Sequence, residues 1–298
     1  MSQAGVTALT ALEIGVPDLD AAVAFYKNVW GLSPVARTTD VCHLRASGTD
    51  YFVLALHRSA APSLVRVRLS AENRQAVDTL APRVSKAGGK LLHSPRLLET
   101  PGGGYGFAFH DLEGREFQVV CDAQTHPSAE PAKDRPCRLS HVVLNSLDLD
   151  RAAAFLSEAL GFRLRDRTAK AGFMGCNADH HCIAFTNRPN SQLGHVAYEL
   201  PNLDSVMRGC GRLKRAGLRI EWGVGRHGTG DNVFAYYIDP HGFVIEYTTE
   251  MQQIDDSTYV PGSPDSIARA AHSDMWGLAE PPTERFLKAL QGPGLVKS

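Results

Sequence analysis

Two stretches decide how this chain is read. Residues 9–31 are LTALEIGVPDLDAAVAFYKNVWG, and residues 139–161 are LSHVVLNSLDLDRAAAFLSEALG. At an offset of 130, Leu9/Leu139, Asp18/Asp148, Leu19/Leu149, Asp20/Asp150, Ala22/Ala152, Ala24/Ala154, Phe25/Phe155 and Gly31/Gly161 are identical. That is 8 of 23 positions, where background composition gives about one or two. The segments FAFHDLEGREFQVV (107–120) and AYYIDPHGFVIEYT (235–248) match again at an offset of 128. The chain therefore reads as a tandem duplication, with modules at 1–130 and 131–298 and a polar, proline-containing seam near THPSAEPAKDRP (125–136). At about 150 residues per domain, 298 residues suit two modules.

Each copy opens with an alternating segment that suits a strand. Asp18 or Asp148 is placed to cap an alanine-rich helix that closes at Gly31 or Gly161. A second helix is expected to end near Ala87-Gly88 or Ala216-Gly217, followed by a hairpin at Asp-Leu-Glu-Gly or Asp-Pro-His-Gly. The fold class is α+β, each copy built from two βα-type halves. In the tail, 249–298, a short helix is expected around Thr283–Leu290.

Composition narrows the function. Hydrophobic residues make up 43% and charged residues 21%, which excludes a mainly disordered chain. Thirty-one basic against 32 acidic residues give a net charge of −1 and no electrostatic case for nucleic acid or a membrane surface. No apolar run approaches the roughly 20 residues of a membrane span, and Glu13 interrupts an N-terminus that has no basic region. The six cysteines form no CxxC pair and read as reduced thiols, consistent with a cytoplasmic protein.

The histidines are unevenly used. His141 stands on the first strand of the second copy where the first has Ala11, and Glu246 stands where the first has Gln118. His195 opens HVAYEL (195–200), which we match to LVRVRL (64–69), a stretch without histidine. All three polar residues interrupt apolar strand segments, and a buried carboxylate needs a partner. Two imidazoles and a carboxylate form a facial triad that suits Fe(II) and leaves coordination positions open. The same residues also fit a metal-free arrangement in which Glu246 pairs with an arginine and the histidines bond neighbouring backbone. Spacing alone does not separate the two.

The segment GRHGTGDNVFAYYIDPHGFVIEY (225–247) resembles the signature of the type I extradiol ring-cleaving dioxygenases of the vicinal oxygen chelate superfamily. Gly225, His227, Tyr236, Asp239, Pro240, Gly242 and Glu246 fill the pattern, with Ala235 where a larger apolar residue is usual. CNADHHCIAF (176–185) is similar to the family's segment bearing an active-site histidine, and Met275-Trp276-Gly277 to its C-terminal Trp-Gly. The likeness covers roughly residues 5–250 and implies tandem βαβββ modules, the metal held by the second. It implies that His141, His195 and Glu246 ligate Fe(II), or Mn(II) in some members. His181 is the implied acid–base residue, with His180 the fallback should the register slip by one. His227 is implied to bond substrate oxygen, with Tyr236 as the phenol above the metal and Tyr237 a packing residue. Glycines beside His227 would let its loop approach the ligand. The resemblance implies substrate contacts from Asn145 and from Val143, which occupies the place of the family's polar residue after the first ligand. Trp222, where some relatives carry an arginine, favours an uncharged substituent, and Cys182 reads as an inert buried thiol.

The implied partners are a catechol-type diol and O2, with the ring opened beside the hydroxyls to a yellow semialdehyde in aromatic catabolism, by a homo-oligomer. The rivals are another superfamily reaction, such as a glyoxalase-like isomerisation or hydroquinone cleavage, and a metal-free module that binds an aromatic compound.

Overall fold

The structure, a computed structural model, describes residues 4–127 and 130–296. Ser128 and Ala129, within the expected seam, lie outside the described residues. The first sheet comprises β1 (Val6–Val16), β2 (Ser33–Arg37), β3 (Val41–Arg45), β4 (Leu54–Arg58), β5 (Ser63–Ala71), β6 (Lys90–Leu97), β7 (Tyr105–His110) and β8 (Glu116–Cys121). Their spatial order is β2-β3-β4-β1-β5-β8-β7-β6. The second copy repeats it with β9 (Arg138–Ser146), β10 (Arg163–Arg167), β11 (Ala171–Gly175), β12 (Ile183–Asn187), β13 (Leu193–Glu199), β14 (Trp222–Arg226), β15 (Val233–Ile238) and β16 (Val244–Thr249), ordered β10-β11-β12-β9-β13-β16-β15-β14. Helices α1 (Leu19–Phe25), α2 (Arg74–Lys86), α3 (Leu149–Leu160) and α4 (Leu203–Arg215) follow the first strand of each half. Each sheet is thus two βαβββ units joined where their first strands pair antiparallel, β1 with β5 and β9 with β13.

Local chemistry explains the helices. Asp18 accepts from the Ala21 N–H and Asp148 from the Arg151 N–H, each at 3.0 Å, so both act as N-caps. Gly161 closes α3 at φ +79°, a left-handed conformation glycine adopts without penalty. In the first copy the last turn widens to a π-helix over Tyr26–Trp30 before Gly31. The tail holds α6 (Glu284–Ala289) as expected, and also a helix that the sequence reading passes over, α5 (Pro264–Ala270). Its signals are Ser263 as cap and Pro264 in the first turn.

The two modules share one apolar core, with Trp30 packed within about 6 Å of the Tyr198, Tyr237 and Tyr247 rings. Buried polar groups lock the modules together. Asp239, in the Asp-Pro-His-Gly turn, accepts from the His241 and Phe243 N–H groups and from the Tyr26 hydroxyl at 2.9 Å. In the mirror-image contact Arg115 bonds Asp111 at 2.6 Å, donates to the Asn145 carbonyl at 2.7 Å and lies over Phe185. Removing one partner of a buried pair strands the other charge, at about 3–5 kcal/mol. Arg115→Met is therefore expected to destabilise the protein by that order, read from the shift of its urea midpoint, and an unchanged midpoint would contradict it.

Candidate metal centre and active site

Strand alternation sorts the second module into two faces. Tyr237, Ile245 and Tyr247 enter the core under the helices, while Tyr236, Phe234 and Val244 pack with Phe286 of α6 on the other side. On that second face β9, β13 and β16 bring His141, His195 and Glu246 together. Glu246 Oε2 lies 3.2 Å from His141 Nε2 and 3.3 Å from His195 Nε2, and the two nitrogens are 3.4 Å apart. Among the described residues this is the one cluster of histidine, cysteine and acidic side chains whose donor atoms converge in this way. Glu246 is fully buried and its Oε2 has no hydrogen-bond donor. Two nitrogens and an unsatisfied carboxylate oxygen with one focus fit a divalent cation with positions to spare.

The first module shows why it offers no such set. Strand register aligns Ala11, Arg66 and Gln118 with His141, His195 and Glu246, because Arg66 faces Glu13 as His195 faces Val143. This corrects the match of HVAYEL to LVRVRL by two residues. Arg66 bonds Glu13 at 3.1 Å and Glu116 at 2.6 Å, and Glu13 also meets His57 at 2.7 Å. Burial opposes ionisation of Glu13, but His57 and Arg66 hold its carboxyl below the ordinary range. Arg68, buried over the Phe52 ring, adds a second guanidinium. Fixed cations occupy the face where a metal would need ligands.

Around the triad a cavity of about 250 Å³ is lined by residues between His141 and Leu290. His181 enters it with its ring 4.6 Å from that of His141. His180 points away from it, fully buried, its Nδ1 3.1 Å from His181 Nδ1 and its Nε2 3.1 Å from Asp166. His227 Nε2 meets the Tyr236 hydroxyl at 2.9 Å. Trp222 stacks on Tyr236 at 5.4 Å, and Phe286 closes over Tyr236 at 5.0 Å. Val143 borders the cavity beside His141. Asn145 borders it too, but its amide is already committed. It donates to Asn190 and the Leu290 carbonyl and accepts from Thr186, so it builds the wall that joins strands to tail. Cys182 is buried, with its Sγ 3.4 Å from Cys176 Sγ.

Supporting residues absent from the sequence reading complete the site. Asn232 reaches Glu246 Oε1 at 3.4 Å while bonding Thr248, and Ser140 bonds His141 Nδ1 at 3.2 Å. Such partners orient metal ligands. Asp274 accepts from the Arg226 and Trp276 N–H groups, and Arg226 lies over Trp276, which ties the tail to the loop carrying His227. The glycines of that loop serve two ends. A side chain at Gly228 would collide with the Arg269 carbonyl of α5, whereas Gly230 brings the loop against the His181 ring.

The electrostatics follow from burial. Glu246 sits well below the carboxylate range because His141 and His195 outweigh its desolvation. Burial and neighbouring imidazoles push His181 well below 6.5, burial lowers His195 despite Glu246, and burial brings His227 down to about 4. Burial and the Glu246 carboxylate raise Tyr236 well above 10.0, so it stays a phenol. A sign follows for stability. The unfolded chain takes up imidazole protons near 6.5 while folded His227 waits until about 4, so metal-free protein loses stability as pH falls across that window. Its Tm should drop steadily between those pH values, and a flat Tm would mean these histidines titrate normally in the fold.

Residues 138–247 match the Glyoxalase/Bleomycin resistance protein/Dioxygenase superfamily. A solved structure, the Mn(II)-bound glyoxalase from Novosphingobium aromaticivorans, is 35% identical with a TM-score of 0.88, covering 95% of this chain and 94% of that one. The chain belongs to this superfamily. It is 30% identical over 195 residues to Metapyrocatechase 2 of Cupriavidus necator, 58% of this chain and 60% of that protein. It is also 30% identical over 157 residues to the iron-dependent extradiol dioxygenase of Rhodococcus jostii, 47% of this chain and 52% of that one. The aligned part thus spans a little over half the length of these two curated relatives. No helix among the described residues is long and apolar enough to cross a membrane.

Proposed function

We propose that the protein is an extradiol dioxygenase that opens a catechol-type ring with O2, using Fe(II), or Mn(II), held by His141, His195 and Glu246. The observation that carries this reading is one apolar cavity in which a two-histidine, one-carboxylate set faces a buried imidazole, a second imidazole and a phenol. When bound, the metal supplies Lewis acidity and an electron path between diol and oxygen. The chain's own residues do the rest. His181, kept neutral by burial, takes the hydroxyl proton at an imidazole nitrogen and later returns it. Tyr236 and His227, paired at 2.9 Å, present hydrogen bonds to substrate oxygen. Trp222 and Phe286 hold the ring and exclude water, and Val143 sets its distance from the first ligand strand. Asn145 acts through the wall it ties. The first module, 1–130, serves as scaffold and 131–298 as catalytic module, in a cytoplasmic homo-oligomer.

The name of the Novosphingobium structure favours a second reading, an isomerase of glyoxalase type. Against it, no carboxylate other than Glu246 faces the triad among the described residues, and the first module contributes nothing to the cavity lining. Oxygen uptake by Fe(II)-reconstituted protein across a catechol panel separates the two. We expect uptake equal to diol consumed with a yellow product, whereas turnover that needs no oxygen would replace this proposal with the second.

A further inference from the structure

Behind His181 lies a chain of groups that the proposed reaction has not used. Asp166, on β10, receives the Nε2 side of fully buried His180 at 3.1 Å, and His180 Nδ1 meets His181 Nδ1 at 3.1 Å. The Tyr259 hydroxyl and the Gly262 N–H also bond the Asp166 carboxyl, which they and His180 hold below its ordinary value despite burial. Phe173 packs edge-on against His181 at 5.0 Å and fixes the plane of the ring.

The order of protons along this chain follows from the acceptor at its far end, with the Tyr259 hydroxyl 3.4 Å from His180 Nε2 as a further neighbour. A carboxylate only accepts hydrogen bonds, so the proton of His180 sits on Nε2. A neutral imidazole carries one proton, and with both rings neutral His180 Nδ1 is then an acceptor. The 3.1 Å contact requires His181 to donate its Nδ1–H. His181 Nε2 is left as a lone pair, with no hydrogen-bond partner among the described residues, on a ring that lines the cavity. We infer that Asp166 and His180 are positioning residues that hold His181 in the Nδ1–H tautomer, presenting Nε2 as the proton acceptor. This rests on the reading of His181 as the acid–base residue. When Nε2 takes a proton, the new charge stays hydrogen-bonded through His180 to Asp166, the same orienting role a third group plays behind other bases.

The test is nitrogen-15 histidine NMR on the full chain loaded with diamagnetic Zn(II), at pH 8, with His180→Gln and His181→Gln used for assignment. We expect a protonated Nδ1 and an unprotonated Nε2 on His181 in the wild type. In Asp166→Asn we expect loss of that single tautomer, a kcat for the Fe(II) enzyme lower by about 10- to 100-fold, and unchanged metal content. KM should stay within about twofold, and Asp166→Glu should recover part of the loss. A wild-type His181 protonated on Nε2 overturns the inference whether or not any variant folds. So does an Asp166→Asn protein with unaltered tautomer and kcat. If no catechol is cleaved but the tautomer still follows Asp166, the positioning stands and the dioxygenase reading fails.

Discussion

Replacing His195 by alanine is expected to empty the metal site and reduce oxygen uptake to background, while the fold persists. The proposed ligands come from three strands, so no neighbouring side chain slides in to replace one. His195 lies on the rim of the triad, 12% exposed against 2% for His141 and 0% for Glu246, so its loss opens the site to water. Partners that merely orient a ligand are worth about 10–100-fold in metal affinity, and a ligand itself is worth more. Dialysed His195→Ala should therefore carry far less than one ion per chain by elemental analysis. Because a bound ion stabilises the folded state by mass action, added Fe(II) should raise the wild-type Tm and leave that of the variant unmoved. Gln118→Ala, at the position of the first module that corresponds to Glu246, should leave metal content as it was. His195→Ala protein that keeps one ion per chain would remove His195 from the ligand set.

What the sequence made legible was what depends on neighbours along the chain. The duplication, the Asp18 and Asp148 caps, the glycine stops and the split of Tyr236 from Tyr237 all follow from local pattern. The match of His195 to its counterpart did not, for a physical reason. Both modules carry an irregularity at the same place, between Glu13 and Ile14 in β1 and between Leu193 and His195 in β13. Alternating strands slid by two residues keep every side chain on its face, so LVRVRL aligned equally well with Leu64 or Arg66 in front. The α5 helix went unseen because seven residues are too few to show a period. Asn232 and Asp166 were invisible for another reason. Their roles rest on contacts 14 residues away across strands, to Glu246 and His180, and nothing in the residue types announces them. Asn145 shows the reverse: its place on the ligand strand was legible, but the three bonds that use up its amide come from a loop, a strand and the distant tail.

Changing His181 to glutamine is expected to leave the metal in place and slow turnover by about 10²–10⁴-fold, the usual contribution of a positioned acid–base group. Glutamine fills much of the imidazole's volume and can still bond His180, so the cavity should survive, but it has no site that takes up and returns a proton near neutral pH. The separation of effects matters as much as their size. His181 is not a member of the converging ligand set, so metal content should stay at one ion per chain, in contrast to His195→Ala. KM should change little, because the proposed contacts that hold the ring come from Trp222 and Phe286, which also line the cavity. The wild-type pH profile offers a second check. Burial keeps His181 well below 6.5, so its base form persists on acidification and the rate should hold until pH falls below the ordinary imidazole range. A His181→Gln enzyme with the wild-type rate would remove this residue from the chemistry and leave His227, already bonded to Tyr236, as the imidazole to test next.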